Sequence, residues 1–334
     1  MSIRLVQIQN DTKRRVALVK EPTLVVLDRV NTIYQLATFL ADGEHPLSEY
    51  VGKLTTAEVL DYDSVYEGKS EWRLLPPIDH PNDLARCMVS GTGLTHLGSA
   101  KNRQAMHGDA VKEMTDSMKM FQWGVEGGKP AAGKIGIAPE WFYKGNGGII
   151  RGHGEAITMP PFAEDGGEEA EIVGLYIIAP NGNPIRIGMA QGNEFSDHVF
   201  EKKNYLNLAG SKLRECSIGP ELVIDADFTS VSGESRIERG GQTIWSKEVR
   251  TGESEMCHSL ANIEHHHFKF PAHRRPGDVH IHYYGAHSLS FGDGIRCADG
   301  DMMIVRWDGF GRALKNPLRR DTQPNELVGV TPLK

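Results

Sequence analysis

The sequence predicts an α+β, β-rich protein in two unequal parts, and three observations carry that expectation. The 334 residues can bury a substantial core, enough for one large domain with a smaller one beside it. The 37 glycines and 17 prolines, many in short clusters between apolar runs, impose turns that favour short strands over long helices. From Pro139 onward the runs GGII, EAITMPP, EIVGLYIIA, PIRIGMAQG, ELVI, QTIWSKEV, DVHIHYYG and MMIVRWDGFG recur with turn signals between them. A curled or sandwich-like β architecture is the natural solution to that pattern.

Taken in order, residues 1–80 read as a small N-terminal α/β unit. Thr23 to Leu27 is strand-like, and a helical pattern runs from Asn31 through Leu40 with Asn31 as its cap. A second helical stretch is expected around Thr55 to Leu60. The prolines of LLPPID, Leu74 to Asp79, stop regular structure, and CMVSG at Cys87 to Gly91 opens a new unit. The boundary therefore falls near residue 80, with residues 81–334 as the larger domain. Gly91 to Lys129 is polar and glycine-punctuated, with helix-compatible residues from Ala105 to Phe121 carrying Met106, Met114, Met118 and Met120. A mobile lid over a site and a surface excursion with an amphipathic helix both fit it. SGESRIERGGQTIWSKEV, residues 232–249, reads as a hairpin turning at Gly240 and Gly241.

Composition excludes several classes. No window approaches the roughly 18 consecutive apolar residues of a spanning helix, so no membrane role is expected. The start, MSIRLVQIQNDTKRR, has no long apolar h-region, which points to the cytoplasm. Net charge is -7 with both signs mixed, and the absence of a basic stripe argues against nucleic acid. Cys87, Cys216, Cys257 and Cys297 are widely spaced and suggest buried free thiols rather than a disulfide framework or a zinc site.

The chemistry gathers at EEAEIVGLYII, residues 168–178. Strand alternation puts Glu169, Glu171 and Val173 on one face, so two carboxylates point the same way at the start of an apolar strand. If that face is buried, a cation removes both the desolvation cost and the repulsion. On spacing alone, a solvated acidic strand end is the commoner meaning of such a pair.

The surrounding order of motifs resembles the fumarylacetoacetate hydrolase superfamily over roughly residues 74–320. Six matches occur in sequence: YKGNGGIIRGHGEAITMPP at 143–161, EAEI at 169–172, GNEFSDH at 192–198, SKLRECSIGPEL at 211–222, RPGDVHIHYYGAH at 275–287 and DGFGRALKNPL at 308–318. The resemblance implies a mixed β-sandwich or roll in which a metal is held by Glu169, Glu171 and an acid of the following loop. Glu194 stands where the superfamily usually has aspartate, with Asp197 as the alternative. Oxygen-only ligands favour Mg²⁺, with Mn²⁺ or Ca²⁺ possible. The ligand implied is a small 2-keto acid whose keto oxygen and carboxylate chelate the ion.

By the same resemblance Lys212 lies beside the metal, where its charge can hold a carboxylate or a developing enolate oxygen. Tyr143, Lys144 and Asn146 take positions that contact substrate or its loop, and Ala286, His287 and Ser288 replace a turn that meets the substrate carboxylate. Hydrolases of the superfamily carry N-Y-x-x-H-x-x-E; here SGTGLTHLGSAKNR supplies His96, but Ser99 stands where the glutamate belongs. The water-activating pair is broken unless Glu113 or another acid replaces it. With metal and lysine kept, the remaining chemistry is enolate formation and loss of a group from C4. Dehydration of a 2-keto-3-deoxy sugar acid follows as the expectation, with His96 as the acid or base. The rivals are a C–C hydrolase of acylpyruvates or 2,4-diketo acids and a noncatalytic sugar-acid-binding protein. A homodimer is expected by analogy. The run EHHHFKFPAH with His280 and His282 matches no recognised ligand spacing and is read as structural.

Overall fold

The computed structural model describes residues 2–41, 46–98, 100–101 and 114–333. Eighteen strands form two sheets among these residues. The first part of the chain contributes β1 (Ile3–Gln9), β2 (Arg14–Lys20), β3 (Thr23–Leu27), β4 (Thr55–Asp61) and β5 (Arg73–Leu75). Then come β6 (Cys87–Gly93), β7 (Glu140–Asn146), β8 (Ile150–Arg151), β9 (Ile157–Met159), β10 (Ala170–Ile178) and β11 (Pro184–Asn193). The remainder are β12 (Cys216–Ile218), β13 (Leu222–Ile224), β14 (Val231–Arg239), β15 (Gln242–Thr251), β16 (Val279–Tyr283), β17 (Met302–Trp307) and β18 (Leu314–Arg320).

The large sheet runs β4-β3-β2-β1-β13-β11-β10-β16-β6-β7, with β5, β8 and β12 attached beside that path. It crosses residue 80 without a break, because β1 pairs antiparallel with β13 in the register Ile3 with Ile224. The small sheet, β15-β14-β17-β18-β9, packs over it. Between the two lies a core of Ala170, Ile172, Met189 and Val223 against Val231, Val249, Val305, Trp307 and Leu314. On the other face Val173, Leu175 and Ile177 join Leu5, Val16, Leu36 and Ile281. The alternation read in β10 is thus borne out, with both faces buried. The β-rich α+β architecture is as expected.

Of the local expectations, the strands at 23–27 and 87–91 form. The 232–249 hairpin turns on Gly240 and Gly241, both at positive φ (58° and 78°), as a two-residue hairpin loop requires. Two expectations need correction. The first helix, α1 (Ile33–Phe39), is capped by Thr32, whose side chain accepts from the Gln35 N–H, while Asn31 accepts from Arg15 instead. Residues Thr55–Asp61 are a strand rather than a helix: the helix precedes them as α2 (Leu47–Lys53), and their backbone pairs with β3 at the sheet edge. The remaining helices are α3 (Tyr62–Tyr66), α4 (Asp116–Gly127), α5 (His198–Lys203), α6 (Leu208–Lys212) and α7 (Leu260–Phe268). The helix placed over Ala105 to Phe121 appears in part as α4, capped by Thr115. Ser99, Met106 and Glu113, and with them much of the lid reading, lie outside the described residues. No helix among the described residues is long and apolar enough to cross a membrane.

Candidate metal and substrate site

Glu169 and Glu194 meet because β10 and β11 pair with Ala170 opposite Asn193, and one residue further the two glutamates face each other. The Glu194 N–H donates to the Glu169 carbonyl at 2.9 Å. Asn193 Oδ1 stabilises the same corner, accepting from the N–H groups of Glu169 at 3.1 Å and Phe195 at 3.2 Å. Phe195 sits at φ 40°, a conformation that costs a non-glycine residue about 1–2 kcal/mol. Its carbonyl accepts from Lys144 Nζ at 3.0 Å, which offsets part of that cost. Glu171 lies opposite Gly192, whose missing side chain admits the Tyr283 ring.

The three carboxylates are buried, and one oxygen from each lies within 4.8 Å of the others. Lys212, at the end of α6, donates to Glu169 Oε1 at 2.5 Å and also pairs with Glu194. Lys144 pairs with the other oxygen of Glu194 and is fully buried. A bulge opposite Val89 and Ser90 leaves Lys144 as the unpaired residue of β7. His198 Nε2 approaches Glu169 Oε1 at 3.1 Å. Glu171 has a different environment: its Oε2 accepts from the Gly285 N–H at 2.7 Å.

These surroundings separate the acids electrostatically. Burial works against ionisation of Glu169, yet the Lys212 charge and the His198 hydrogen bond hold it well below the usual carboxylate range. Burial, and then the charges of Glu194 and Glu169, push Glu171 well above that range. Glu194 is raised by burial and by Glu169, against the pull of Lys144 and Lys212. Ionising all three carboxylates would set a third negative charge beside two lysines, the charge that Glu171 resists, and a hard divalent cation fits the donor set. A cavity of about 20 Å³ adjoins the acids, lined by Leu94, Phe142, Glu169, Glu171, His198, Glu201, Lys212, Ala286 and Leu289. That is room for a water or an ion, since a water needs about 10–15 Å³.

The remaining expected residues divide. Asp197 caps α5, accepting from Phe200 N–H at 2.9 Å and lying 3.5 Å from Arg214, so Glu194 is the loop acid in the cluster. Tyr143 is exposed on the face of β7 opposite Lys144, and Asn146, beyond the bulge at the end of the strand, is exposed and caps the turn at Gly148. Ala286 lines the cavity. Ser288 is buried, and half-buried His287 stands with its ring 6.1 Å from His96. His96 is buried outside the cavity lining, bonded to Thr95 at 2.9 Å and Thr251 at 3.1 Å, and burial pushes it down to about 3. Sequence reasoning missed His198, Phe142 and Glu201. His198 ends the GNEFSDH motif, and its helical position one residue after a cap was the available signal.

The geometry just described belongs to a chain with the fumarylacetoacetate hydrolase-like fold. Similar solved structures include 2-keto-3-deoxy-D-arabinonate dehydratase complexed with magnesium and 2,5-dioxopentanoate (TM-score 0.70, 18% identity, 96% of this chain and 100% of that one). They also include 2-hydroxyhepta-2,4-diene-1,7-dioate isomerase from Mycobacterium marinum (TM-score 0.58, 18% identity, 96% and 100%). A third is 5-carboxymethyl-2-hydroxymuconate delta-isomerase from Mycobacterium smegmatis (TM-score 0.56, 17% identity, 95% and 100%). No family model and no curated protein sequence matches the chain.

Proposed function

We propose that the protein is a Mg²⁺-dependent dehydratase that converts a 2-keto-3-deoxy sugar acid, 2-keto-3-deoxy-L-arabinonate, to 2,5-dioxopentanoate and water. The observation that carries this reading is the convergence of Glu169, Glu171 and Lys212 on one cavity, with Glu194 completing the acidic triad beside it. The shape likeness to a dehydratase crystallised with magnesium and that product supports it. Glu169, Glu171 and Glu194 would hold the ion, which when bound supplies Lewis-acid polarisation of the 2-keto group and so acidifies C3.

The chain's own groups do the rest. Lys212, a cation paired with Glu169 and Glu194, holds the substrate carboxylate or the oxygen that becomes the enolate. C3 loses a proton and the C4 hydroxyl departs as water. A proton then passes from C5 to C3, and the resulting C4–C5 enol becomes the aldehyde. Lys144 keeps Glu194 charged, and His198 positions Glu169. His96, sealed among threonines, supports the wall. The absence of an acid at Ser99 weighs against a C–C hydrolase.

The protein is placed in the cytoplasm, where its four free thiols stay reduced. A homodimer belongs to the same reading, supported by Leu327, Val328, Val330 and Leu333, which stand 86–102% exposed. Light scattering checks it. Incubation with Mg²⁺ and 2-keto-3-deoxy-L-arabinonate should yield 2,5-dioxopentanoate. Pyruvate from a 2,4-diketo acid and no product from the sugar acid would replace the dehydratase by a hydrolase. No turnover of either would favour a binding protein.

A further inference from the structure

We infer that Glu168 and Ser290 form a clasp that positions one wall of the cavity and sets the length of keto acid admitted; this rests on the dehydratase reading above. The three acids of EEAE act in different directions. Glu169 faces Lys212 and His198, while Glu171 and Glu168 hold the two ends of a single turn following β16. At one end the Gly285 N–H meets Glu171 Oε2 at 2.7 Å, and Gly285 is at φ 103°, where a side chain would also strike Thr95. At the other end Ser290 gives both donors to Glu168, its N–H to Oε1 at 2.8 Å and its hydroxyl to Oε2 at 2.5 Å. Glu168 is itself held by the backbone bridge between Gly167 and Ser196, whose two hydrogen bonds are both 3.0 Å.

Between the anchors, Ala286 and Leu289 form the cavity wall. Just past the second anchor, Phe291 packs on His198 with ring centroids 5.1 Å apart, and the Arg296 guanidinium covers Phe291 at 4.4 Å. A cavity of about 20 Å³ is far below the size of a sugar acid, so the lining, of which this wall is a part, must yield when substrate enters. The clasp limits how far it yields. Glu168 touches neither the cavity nor the three converging carboxylates, and it is a positioning residue.

The test compares Glu168→Ala, Ser290→Ala and Glu168→Gln for Mn²⁺ affinity, steady-state turnover of five- and six-carbon 2-keto-3-deoxy acids, and hydrogen exchange across residues 286–291. Glu168→Ala should raise KM for the five-carbon acid about tenfold, leave kcat within about threefold, and shift preference toward the longer acid about tenfold. Mn²⁺ affinity should stay within about twofold, and exchange in the turn should quicken. Ser290→Ala should move the same way by less, and Glu168→Gln, which still accepts from Ser290, should restore most wild-type behaviour. Faster exchange with unchanged KM and chain-length preference would overturn the inference, as would lost Mn²⁺ affinity with unchanged exchange. If the wild type turns over neither acid, the dehydratase reading falls, and exchange alone then decides whether the clasp exists.

Discussion

Two of the buried polar clusters among the described residues behave oppositely. Glu169, Glu171, Glu194, Lys144 and Lys212 form a charged cluster beside a cavity, three carboxylates against two lysines. His267, His280 and His282 form a neutral one, packed with His273 between α7 and β16. There, ring contacts of 4.5–5.0 Å around His267 combine with bonds from Ser90 and Thr92 to the two nitrogens of His282 at 2.8 and 2.7 Å. The histidines are conspicuous in sequence, yet their ring nitrogens bond to one another, to hydroxyls and to backbone, with His280 Nε2 left buried without a partner. The glutamates are unremarkable in sequence, yet ionising all three leaves one carboxylate more than the two lysines match. What separates a chemical site from a structural one here is a charged oxygen donor set at a cavity, not the density of titratable groups.

The largest expected effect comes from breaking the charged cluster. Lys212→Met should lower turnover at least ~10³-fold and, by leaving buried carboxylates unpaired, cost about 3–5 kcal/mol of stability. Chemical denaturation with and without Mg²⁺ checks this, and the deficit should shrink when the ion is present.

The neutral cluster should reveal itself through acid. Burial pushes His280 down to about 4 and His282 to about 3, and holds His267 well below its ordinary value. The unfolded chain then binds more protons than the folded one below the unfolded histidine value of about 6.5. Stability is full above that pH and falls as pH drops toward 3–4. At pH 5 each of His280 and His282 costs about 2 kcal/mol, and His282→Asn should flatten the dependence measured by urea unfolding.

Smaller effects sharpen the boundary between the clusters. His198→Gln loosens Glu169 and should weaken metal affinity about tenfold, as loss of a ligand's hydrogen-bond partner does. His96→Gln should leave that affinity within about twofold, since His96 touches no acid of the cluster. Equal losses in the two variants would erase the distinction between them.

Much of this was legible beforehand. The period-2 pattern of residues 169–178 gave both the strand and the shared face of Glu169 and Glu171, and the motif order led to Glu194 and Lys212. Thr55–Asp61 was misread because its edge-strand pairing with β3 is a tertiary matter that propensity does not contain. Tyr143 and Asn146 were drawn in by their place in the superfamily pattern; alternation already set Tyr143 opposite Lys144, and Asn146 lies past a bulge that is a matter of strand pairing. His198 was overlooked because its link to Glu169 spans 29 positions and depends on where α5 begins. Glu168 was taken as one more acid of a run, and only the return of Ser290 to it gives it a separate task.

Glu171 tests the central claim most directly. Glu171→Gln removes one oxygen donor and one buried charge that its neighbours already disfavour. Calorimetric titration with Mn²⁺ or Mg²⁺ should show affinity falling at least ~100-fold and turnover vanishing, while the metal-free variant unfolds at a Tm equal to or above that of the wild type. Unchanged metal affinity and turnover in a folded Glu171→Gln protein would contradict the account.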